Sequence, residues 1–278
     1  MPTTIIHAAQ LRAESRELLE RTLGALEHRG RYHRVRHDAP LDPVRRRQLS
    51  EAIGHDINTL PEGFDPRAVR LLVSDMDSTL INIECIDEIA DFLNIKSQVS
   101  AITESAMRGE IDFETSLTRR VALLKGTRAS ALELVYHERL SLNPGAEELI
   151  HGLKRAGVKF ALVSGGFTFF TERLKERLKL DYAQANVLGI DEGALTGVVV
   201  GKIVGAQAKA DFLLRLCGEL NITPKQVIAV GDGANDLVMM AQAGLSVAYH
   251  AKPKVQAQAA TAINYGGLNL ILDLLELS

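Results

Sequence analysis

Two clusters of acidic residues follow apolar runs in this sequence, and they are the first candidates for chemistry. VSDMDSTLI at 73–81 contains Asp75 and Asp77, and GDGAND at 231–236 contains Asp232 and Asp236. Burying an unpaired carboxylate is costly, and close carboxylates repel one another, so a hard divalent cation is the simplest way to hold them together. Mg²⁺ suits this role because it prefers oxygen ligands, keeps several waters and bridges to a substrate phosphate.

The same residue types are suited to phosphoryl transfer. A carboxylate can act as a nucleophile and form an aspartyl-phosphate. A second carboxyl group two residues further on can serve as general acid and then general base when its neighbours raise its pKa. Ser164, Gly165 and Gly166 supply a hydroxyl and N–H groups that can cradle phosphate oxygens, and Lys209 can neutralise developing charge.

The segments around these residues predict an α/β fold. From Val69 onwards, apolar runs typical of buried parallel strands alternate with amphipathic helical segments. The strand-like runs are VRLLVSD, VKFALVSGG, QVIAVGDG and LSVAYH. Strands separated by helices predict a parallel sheet with right-handed crossovers. Ligands bind beyond the carboxyl ends of such strands, and the acidic and Ser-Gly-Gly stretches fall at those ends.

Two insertions interrupt this alternation. Between Leu80 and Asn143 lie about sixty residues, far more than a usual connection contains. Their composition predicts a helical cap over the sheet, with bounds 82–142. The second insertion, at 185–205, has β-branched runs on either side of an Asp-Glu-Gly turn and predicts a β-hairpin.

The first 66 residues differ in composition from the rest. TTIIHA at 3–8 predicts a short strand, and the leucines of 8–30 predict a helix that ends at Gly30, followed by a second, shorter helix. The arginines of RYHRVRH and PVRRRQLSEAI form a basic patch, for which a solvated surface is favoured over a binding site. Prolines and a glycine at 61–66 mark a boundary. The predicted domains are 1–66, a core of 67–81 and 143–278, and the cap.

Composition excludes several other classes of protein. Hydrophobic residues make up 46% and charged residues 24% of the chain, as in ordinary globular proteins, and the net charge of −3 argues against a nucleic-acid partner. The N-terminus lacks the order of a signal peptide, and no run is long enough to span a membrane. Cys85 and Cys217 show no metal or redox spacing and are interpreted as buried thiols in a reducing compartment. A cytoplasmic location is expected.

Four short motifs resemble those of the haloacid dehalogenase superfamily of phosphotransferases: DMDSTL, SGG, Lys209 in AQAKADFLL, and GDGANDLVM. Within it, DMDSTLINIECIDEIA, AMRGEIDFETSLTRRVALLKG and LTG resemble the phosphoserine phosphatases in order and spacing. The likeness runs from about residue 70 to the C-terminus. It implies an HAD-like, Rossmannoid parallel sheet with an inserted helical cap and a small N-terminal α+β segment.

The resemblance also implies roles for the core residues. Asp75 would be the nucleophile, and Asp77 would protonate the departing oxygen and then activate water. Mg²⁺ would be held by the Asp75 carboxylate, the Asp77 main-chain carbonyl and Asp232. Ser164, Gly165 and Lys209 would hold phosphate oxygens, and Asn235 would support the same pocket. Asp236 would orient Lys209 or the metal's outer shell.

In the cap, the resemblance implies that Glu84 meets the ammonium of phosphoserine and that Arg120 grips its carboxylate through a planar fork. Met107 and Phe113 match apolar positions that close over the ligand. Without the resemblance, Glu84 would be interpreted as an acid at a helix N-terminus, Arg120 as a surface cation, and the two apolar residues as cap core. His250 is predicted to be a satisfied loop histidine and His137 to lie on a helix surface.

The function implied by the resemblance is Mg²⁺-dependent hydrolysis of phosphoserine in the last step of serine biosynthesis. Three alternatives stay open: another small phosphomonoester, phosphoryl transfer to an acceptor such as homoserine, and a non-catalytic binding protein of the same fold. The expected partner is a small-molecule substrate, with neither nucleic acid nor membrane, and a homodimer is left open. Residues 1–66 depart from the βαββαβ regulatory ACT domain of many relatives, so only a reduced ACT-like segment without an assigned ligand is considered.

Overall fold

The computed structural model describes residues 2–37 and 41–277, except for the side chain of Met107. The N-terminal unit has the element order β-α-β-β-α-β: β1 (Thr3–Ile6), α1 (Ala13–Leu23), β2 (Glu27–His28), β3 (His33–Arg36), α2 (Pro43–Ile53) and β4 (Ile57–Thr59). Its strands form one antiparallel sheet in the order β2-β3-β1-β4. The strands have only two to four residues, which explains their weak sequence signal.

One expectation for the N-terminal unit is wrong, and another holds only for part of the residues concerned. The helix predicted for 8–30 ends at Leu23, because Gly24 adopts a φ of 93° and turns the chain out of the helix. The arginines are also not uniformly solvated, since Arg34 is only 6% exposed. Its guanidinium donates to Glu27 and, at 2.6 Å, to Glu276 near the end of the chain. Arg34 therefore joins the N-terminal unit to the core.

The N-terminal unit is further attached through buried polar groups. The Asp56 carboxylate accepts the main-chain N–H groups of Asn264, Tyr265 and Gly266 at 2.7–3.0 Å. His7 Nδ1 lies 2.9 Å from Asp273 Oδ2, and both side chains are buried. Hydrogen bonds with buried partners of this kind hold the two regions in one orientation.

The remaining elements follow in chain order. They are β5 (Leu71–Ser74), the cap helices α3 (Cys85–Phe92), α4 (Lys96–Met107), α5 (Phe113–Ala122) and α6 (Ser130–Leu134), then α7 (Ala146–Arg155), β6 (Lys159–Phe167), α8 (Thr168–Leu178), β7 (Tyr182–Asp191), β8 (Ala194–Val200), α9 (Ala206–Glu219), β9 (Val227–Gly231), α10 (Leu237–Met240), β10 (Leu245–Tyr249), α11 (Pro253–Gln258), β11 (Thr261–Ile263) and α12 (Ile271–Leu274). An isolated antiparallel bridge between Ile81 and Leu142 joins the two chain segments at the base of the cap.

The core is a seven-stranded sheet in the order β11-β10-β9-β5-β6-β7-β8. All pairs are parallel except β7–β8, which is the predicted hairpin and turns at Glu192 and Gly193. Clusters of buried apolar side chains cover both faces of the sheet. The predicted α/β class with a largely parallel sheet is confirmed. No helix within the described ranges is long and apolar enough to cross a membrane.

Candidate active site

The site lies at the carboxyl ends of three neighbouring strands, β9, β5 and β6. Ser74 at the end of β5 is in register with Leu162 of β6 on one side and Val230 of β9 on the other. The next residue, Asp75, donates its main-chain N–H to Val230 O at 3.0 Å and is 4% exposed. Because parallel strands end at one edge, Asp75 is flanked by the polar residues that follow both neighbours.

Lys209 is the centre of a buried charge network. It lies in the first turn of α9, and its side chain is fully buried. Its Nζ is 2.6 Å from Asp75 Oδ1 and 2.7 Å from Asp236 Oδ1. Asp236 is held in turn, because its Oδ2 accepts the Gly233 N–H at 3.0 Å. The structure thus brings together one ammonium and two carboxylates that are far apart in sequence.

Burial and charge act against each other in this network. Burial by itself would lower the pKa of Lys209, but the carboxylates of Asp236 and Asp75 outweigh it and raise that pKa. The ammonium is therefore kept charged. Burial, together with the negative charge of Asp236, raises the pKa of Asp75 despite the nearby lysine. One cation does not balance all the acidic groups here, which favours an additional positive charge.

Asp77 is oriented by two neighbours. It follows Asp75 in an interrupted helical turn, Met76–Leu80, in which Asp77 is extended and Ser78 is left-handed with a φ of 55°. Asp77 Oδ1 accepts the Cys85 N–H at 3.0 Å, and Oδ2 accepts the Ser164 hydroxyl at 3.2 Å. Burial raises the pKa of Asp77, although these hydrogen bonds oppose the rise. A carboxyl group with a raised pKa is suited to general acid catalysis.

The acidic groups fit a divalent cation. One carboxylate oxygen from each of Asp75, Asp232 and Asp236 lies within 4.8 Å of the others. Asp232 is half-buried, and burial followed by the charge of Asp236 raises its pKa to about 6. Its Oδ1 accepts the Thr79 hydroxyl at 3.3 Å. Both oxygens of Asp236 are engaged by Lys209 and Gly233, so Asp75 and Asp232 are the better placed carboxylate ligands.

The Ser-Gly-Gly stretch lies beside these carboxylates. Ser164 is buried, and its Oγ accepts the Gly166 N–H at 2.7 Å. A Cβ on Gly166 would lie 2.6 Å from Asp77 Oδ2, so a larger residue here would require the Asp77 carboxylate to shift. Asn235 is half-buried and folds over Gly233, whose added Cβ would meet Asn235 Oδ1 at 2.2 Å.

Asn186 of β7 is a supporting residue that the sequence motifs do not reveal. It is 1% exposed, donates from Nδ2 to Gly165 O at 2.8 Å and accepts the Val204 N–H at 2.7 Å on Oδ1. One amide therefore ties the Ser-Gly-Gly turn to the segment that leads into the Lys209 helix. A polar residue in the strand-like run ANVLG is the only signal that could have indicated it.

Glu84 lies at the junction of core and cap, immediately before α3. Its Oε1 accepts the Ser78 hydroxyl at 2.7 Å. Although the Glu84 side chain retains exposed surface, the surrounding protein partly desolvates its carboxylate. This desolvation, followed by the charge of Asp77, raises the pKa of Glu84 to about 8. Glu84 is thus a carboxylate that gains from a cationic partner.

Arg120 reaches the same region from α5. Burial lowers the pKa of its guanidinium, while the carboxylates of Asp87, Glu84 and Asp77 attract it. Its Nε is buried, and no group among the described residues accepts a hydrogen bond from it. A buried charged donor without an acceptor is costly, so this cation is suited to an anionic ligand. The adjacent Arg119 is exposed.

Phe113, the first residue of α5, contacts the core at the phosphate turn. A Cβ on Gly165 would lie 2.9 Å from Phe113 Cζ, and one on Gly205 would lie 3.3 Å from Phe113 Cδ1. Phe113 also lines a cavity of about 290 Å³ between the starts of α5 and α9. The cap is therefore in contact with the core here. The Met107 side chain lies outside the described part of the chain.

The two histidines singled out in the sequence lie outside this network. His250 Nε2 is 3.0 Å from Gly266 O, which confirms a satisfied loop histidine. The His137 side chain is 69% exposed, which confirms a surface position. Three residues that contact the predicted site residues are not themselves indicated by the sequence reasoning. They are Ser78, Thr79 and Cys85, and all three lie within the motif DMDSTLINIECIDEIA.

Comparison with known proteins agrees with this geometry. Residues 69–244 match the family described as haloacid dehalogenase-like hydrolases. A phosphoserine phosphatase from Polaromonas sp. is 56% identical over 212 residues, which cover 74% of this chain and 90% of that protein.

Solved structures extend the similarity. An HAD family hydrolase from Salmonella enterica serovar Typhi superimposes with a TM-score of 0.91 at 36% identity and covers 99% of both chains. A phospho-aspartyl intermediate analogue of phosphoserine phosphatase has a TM-score of 0.70 at 41% identity, covering 74% of this chain and 98% of that one. This chain therefore belongs to the haloacid dehalogenase-like hydrolases, in the branch that includes the phosphoserine phosphatases.

Proposed function

We propose that this chain is a Mg²⁺-dependent phosphoserine phosphatase, which hydrolyses O-phospho-L-serine to L-serine and phosphate in the last step of serine biosynthesis. The observation that carries the substrate assignment is the pair of cap-side charges. Glu84 is a partly desolvated carboxylate, and Arg120 has a buried Nε without an acceptor in the described part of the chain. An ammonium and a carboxylate on one small ligand would satisfy both.

The first half-reaction uses both aspartates that follow β5, Asp75 and Asp77. An Asp75 oxygen attacks phosphorus, the bond between phosphorus and the serine oxygen breaks, and Asp77 gives its proton to that oxygen. The product is serine and an aspartyl-phosphate on Asp75. The short distance between Lys209 and Asp75 supports this role, because the ammonium holds the nucleophile and can balance charge on the phosphate.

The second half-reaction returns the enzyme to its starting state. Asp77, now a carboxylate, takes a proton from water as the water oxygen attacks phosphorus. The bond between phosphorus and Asp75 breaks, phosphate leaves, and Asp77 is protonated again. Ser164 and Gly165 would hold phosphate oxygens throughout, and Asn235 would support the same pocket.

Mg²⁺ fits the acidic groups of the core. The Asp75 carboxylate, the Asp77 main-chain carbonyl and Asp232 would hold it, and the excess of carboxylates over cations supports this assignment. When bound, the ion would neutralise negative charge shared between the carboxylates and the phosphate. Asp236 is assigned to Lys209 rather than to the metal, because Lys209 and Gly233 engage its two oxygens.

The cap is assigned to substrate choice. Arg120 would grip the carboxylate of phosphoserine and Glu84 its ammonium, while Phe113 and Met107 would close over the ligand. The contact of Phe113 with the Gly165 backbone supports its part of this assignment. Residues 82–142 are accordingly proposed as the specificity domain of the enzyme.

The N-terminal residues 1–66 are proposed to be a reduced ACT-like unit. The expectation that these residues depart from the βαββαβ order is wrong, because their element order is β-α-β-β-α-β, and this order supports the proposal. The unit is reduced in its strands, which have only two to four residues. No ligand is assigned to the unit. A cytoplasmic location and a homodimer also stay predictions, and cell fractionation and light scattering would test them.

A phosphate-release assay tests the proposed function. The panel contains L-phosphoserine, phosphoethanolamine, which lacks the carboxylate, and 4-nitrophenyl phosphate. We expect kcat/KM to be highest for L-phosphoserine and to vanish on thorough chelation of the metal. Transfer of phosphate to added homoserine at a rate above hydrolysis would identify a phosphotransferase instead, and no phosphate release from any member would indicate a binding protein.

A further inference from the structure

Gly266 links the N-terminal unit to the catalytic core through both of its main-chain polar groups. Its N–H donates to Asp56 Oδ2 at 3.0 Å, and its carbonyl oxygen lies 3.0 Å from His250 Nε2. A carbonyl oxygen can only accept, so His250 Nε2 carries the proton of this hydrogen bond. Gly266 therefore connects a buried carboxylate of the N-terminal unit with the residue that follows β10.

His250 lies beside the loop that carries the proposed metal ligand Asp232. Strands β9 and β10 are parallel neighbours, with Gly231 in register with Ala248. His250 and Asp232 therefore leave the sheet at the same edge. Two residues after His250, the Lys252 N–H donates to Asp232 O at 3.3 Å. The turn that begins at His250 thus contacts the main chain of Asp232 directly.

The backbone of His250 depends on contacts with the C-terminal segment. Its φ of 43° lies in the left-handed region, which is strained for a non-glycine residue and persists only where surrounding contacts hold it. Its N–H donates to Ile263 O at 2.8 Å, and its ring donates to Gly266 O. Ile263 ends β11, and the N–H groups of the next three residues, 264–266, are those that Asp56 accepts. The N-terminal unit thus holds the segment that supports this turn.

We propose, on the basis of the proposed Mg²⁺-dependent activity, that Asp56 and His250 are positioning residues for the metal-binding loop. Asp56 fixes the segment 264–266, this segment fixes the turn at His250, and that turn fixes the main chain of Asp232. The N-terminal unit is then part of the support of the metal site. Loss of either positioning residue weakens Mg²⁺ binding although every metal ligand is retained, because supporting hydrogen bonds orient the ligands.

Glu276 provides a control for general loosening of the N-terminal unit. Its carboxylate accepts a hydrogen bond from Arg34 at 2.6 Å, so this ion pair joins the same two regions at another place, near the end of the chain. Glu276→Gln weakens the attachment but leaves the hydrogen bonds of Asp56 and His250 in place. It should therefore leave the Mg²⁺ affinity within about twofold of the parent.

Calorimetric titration of the whole metal-free chain with Mg²⁺ tests the proposal. Asp56→Asn places an amide NH₂ group against at least one N–H group that the carboxylate accepted, and His250→Ala removes the ring donor. We expect each change to raise the Kd for Mg²⁺ by about three- to tenfold, because the support reaches the ligand through its main chain. His250→Gln keeps an N–H donor and the same backbone strain, and it should stay within about twofold of the parent.

The double variant Asp56→Asn/His250→Ala tests whether the two residues act through one route. If they do, its Kd should exceed that of the weaker-binding single variant by no more than about twofold. Independent effects would instead multiply, because their free energies would add.

Unchanged Mg²⁺ affinity in His250→Ala would overturn the proposal, and this exposed position keeps the test decisive even if Asp56→Asn does not fold. An equal loss of affinity in Glu276→Gln, multiplied effects in the double variant, or a parent that binds no Mg²⁺ would overturn it as well. Failure of the proposed function is a separate result, in which the parent binds Mg²⁺ but releases no phosphate from L-phosphoserine. The affinity comparison would then still decide the roles of Asp56 and His250.

Discussion

Lys209 in the core and Arg120 in the cap are both cations withdrawn from water, yet their surroundings differ. Lys209 has a carboxylate oxygen at 2.6 Å and another at 2.7 Å, so the protein itself supplies its partners. Arg120 has a buried Nε without an acceptor among the described residues. Glu84, the acidic side chain assigned to recognition, accepts a hydrogen bond from Ser78 instead.

The difference indicates which part of the site is complete before the ligand binds. A nucleophile and its counter-ion must be in place for chemistry, and preorganised groups need no rearrangement at the moment of reaction. Recognition groups that satisfied each other would have to be separated by the substrate. Arg120 and Glu84 therefore gain most when a ligand brings the missing charges. Four predictions test this contrast, beginning with the largest expected effect.

Asp75→Asn should nearly abolish turnover, by at least about 10³-fold in kcat, because an amide cannot act as the nucleophile. Lys209 would retain Asp236 as its partner, so the fold should persist. Phosphate release measures the loss, and circular dichroism with a thermal melt provides the control. Near-normal turnover of this variant would rule out the covalent route through Asp75.

Arg120→Ala should reduce kcat/KM for L-phosphoserine by roughly 30- to 5,000-fold, because the carboxylate of the ligand is left desolvated and unpaired. This loss corresponds to about 2–5 kcal/mol of transition-state stabilisation. The loss on 4-nitrophenyl phosphate, which has no carboxylate, should be much smaller. Glu84→Gln should show the same preference more weakly, since an amide oxygen still accepts from the ammonium.

Arg119→Ala is the matched control for Arg120, because it removes an exposed arginine from the adjacent position. It should change kcat/KM less than about twofold on either substrate. If Arg120→Ala instead lowers activity equally on both substrates, Arg120 supports the fold or the chemistry, and the contrast between cap and core would fail.

Thr79→Val should weaken Mg²⁺ binding by about tenfold, since outer-shell hydrogen bonds orient metal ligands. The change removes the hydroxyl that donates to Asp232 Oδ1 at 3.3 Å and nearly conserves volume. Calorimetric titration of metal-free protein with Mg²⁺ measures it, and Thr79→Ser is the control that keeps the donor. An unchanged affinity in Thr79→Val would show that Asp232 is oriented without Thr79.

The smallest expected effect is on stability as a function of pH. Glu84 has a pKa raised from 4.5 to about 8, and Asp232 from 3.8 to about 6. Between these unfolded and folded values the native state binds more protons, so metal-free protein should lose stability as the pH rises through this window. We expect a decrease in Tm of a few degrees, smaller in Glu84→Gln and smaller with Mg²⁺ present. A Tm that rises across the same window would contradict the assigned shifts.

Much of the core site could be predicted from the sequence because its residues follow strands. Asp75 and Asp232 come directly after apolar runs, and Ser164 lies near the end of another. These residues meet because parallel strands end at one edge of the sheet. Lys209 could be placed by its motif, although the distances that make it the centre of the charge network come from the packing of α9. The N-terminal strands were largely missed, because two to four residues carry little periodicity.

The sequence by itself determined the alternation of strands and helices, the residue types at the strand ends and the helical insertion. Those features depend on local periodicity and on turn residues, which neighbouring positions carry. Only the tertiary structure decided that the Cys85 N–H donates to Asp77, that Asn186 bridges two loops and that the buried Arg120 Nε has no acceptor among the described residues. These contacts depend on how separate elements approach one another and on where each side chain points, and the linear order of residues contains neither directly.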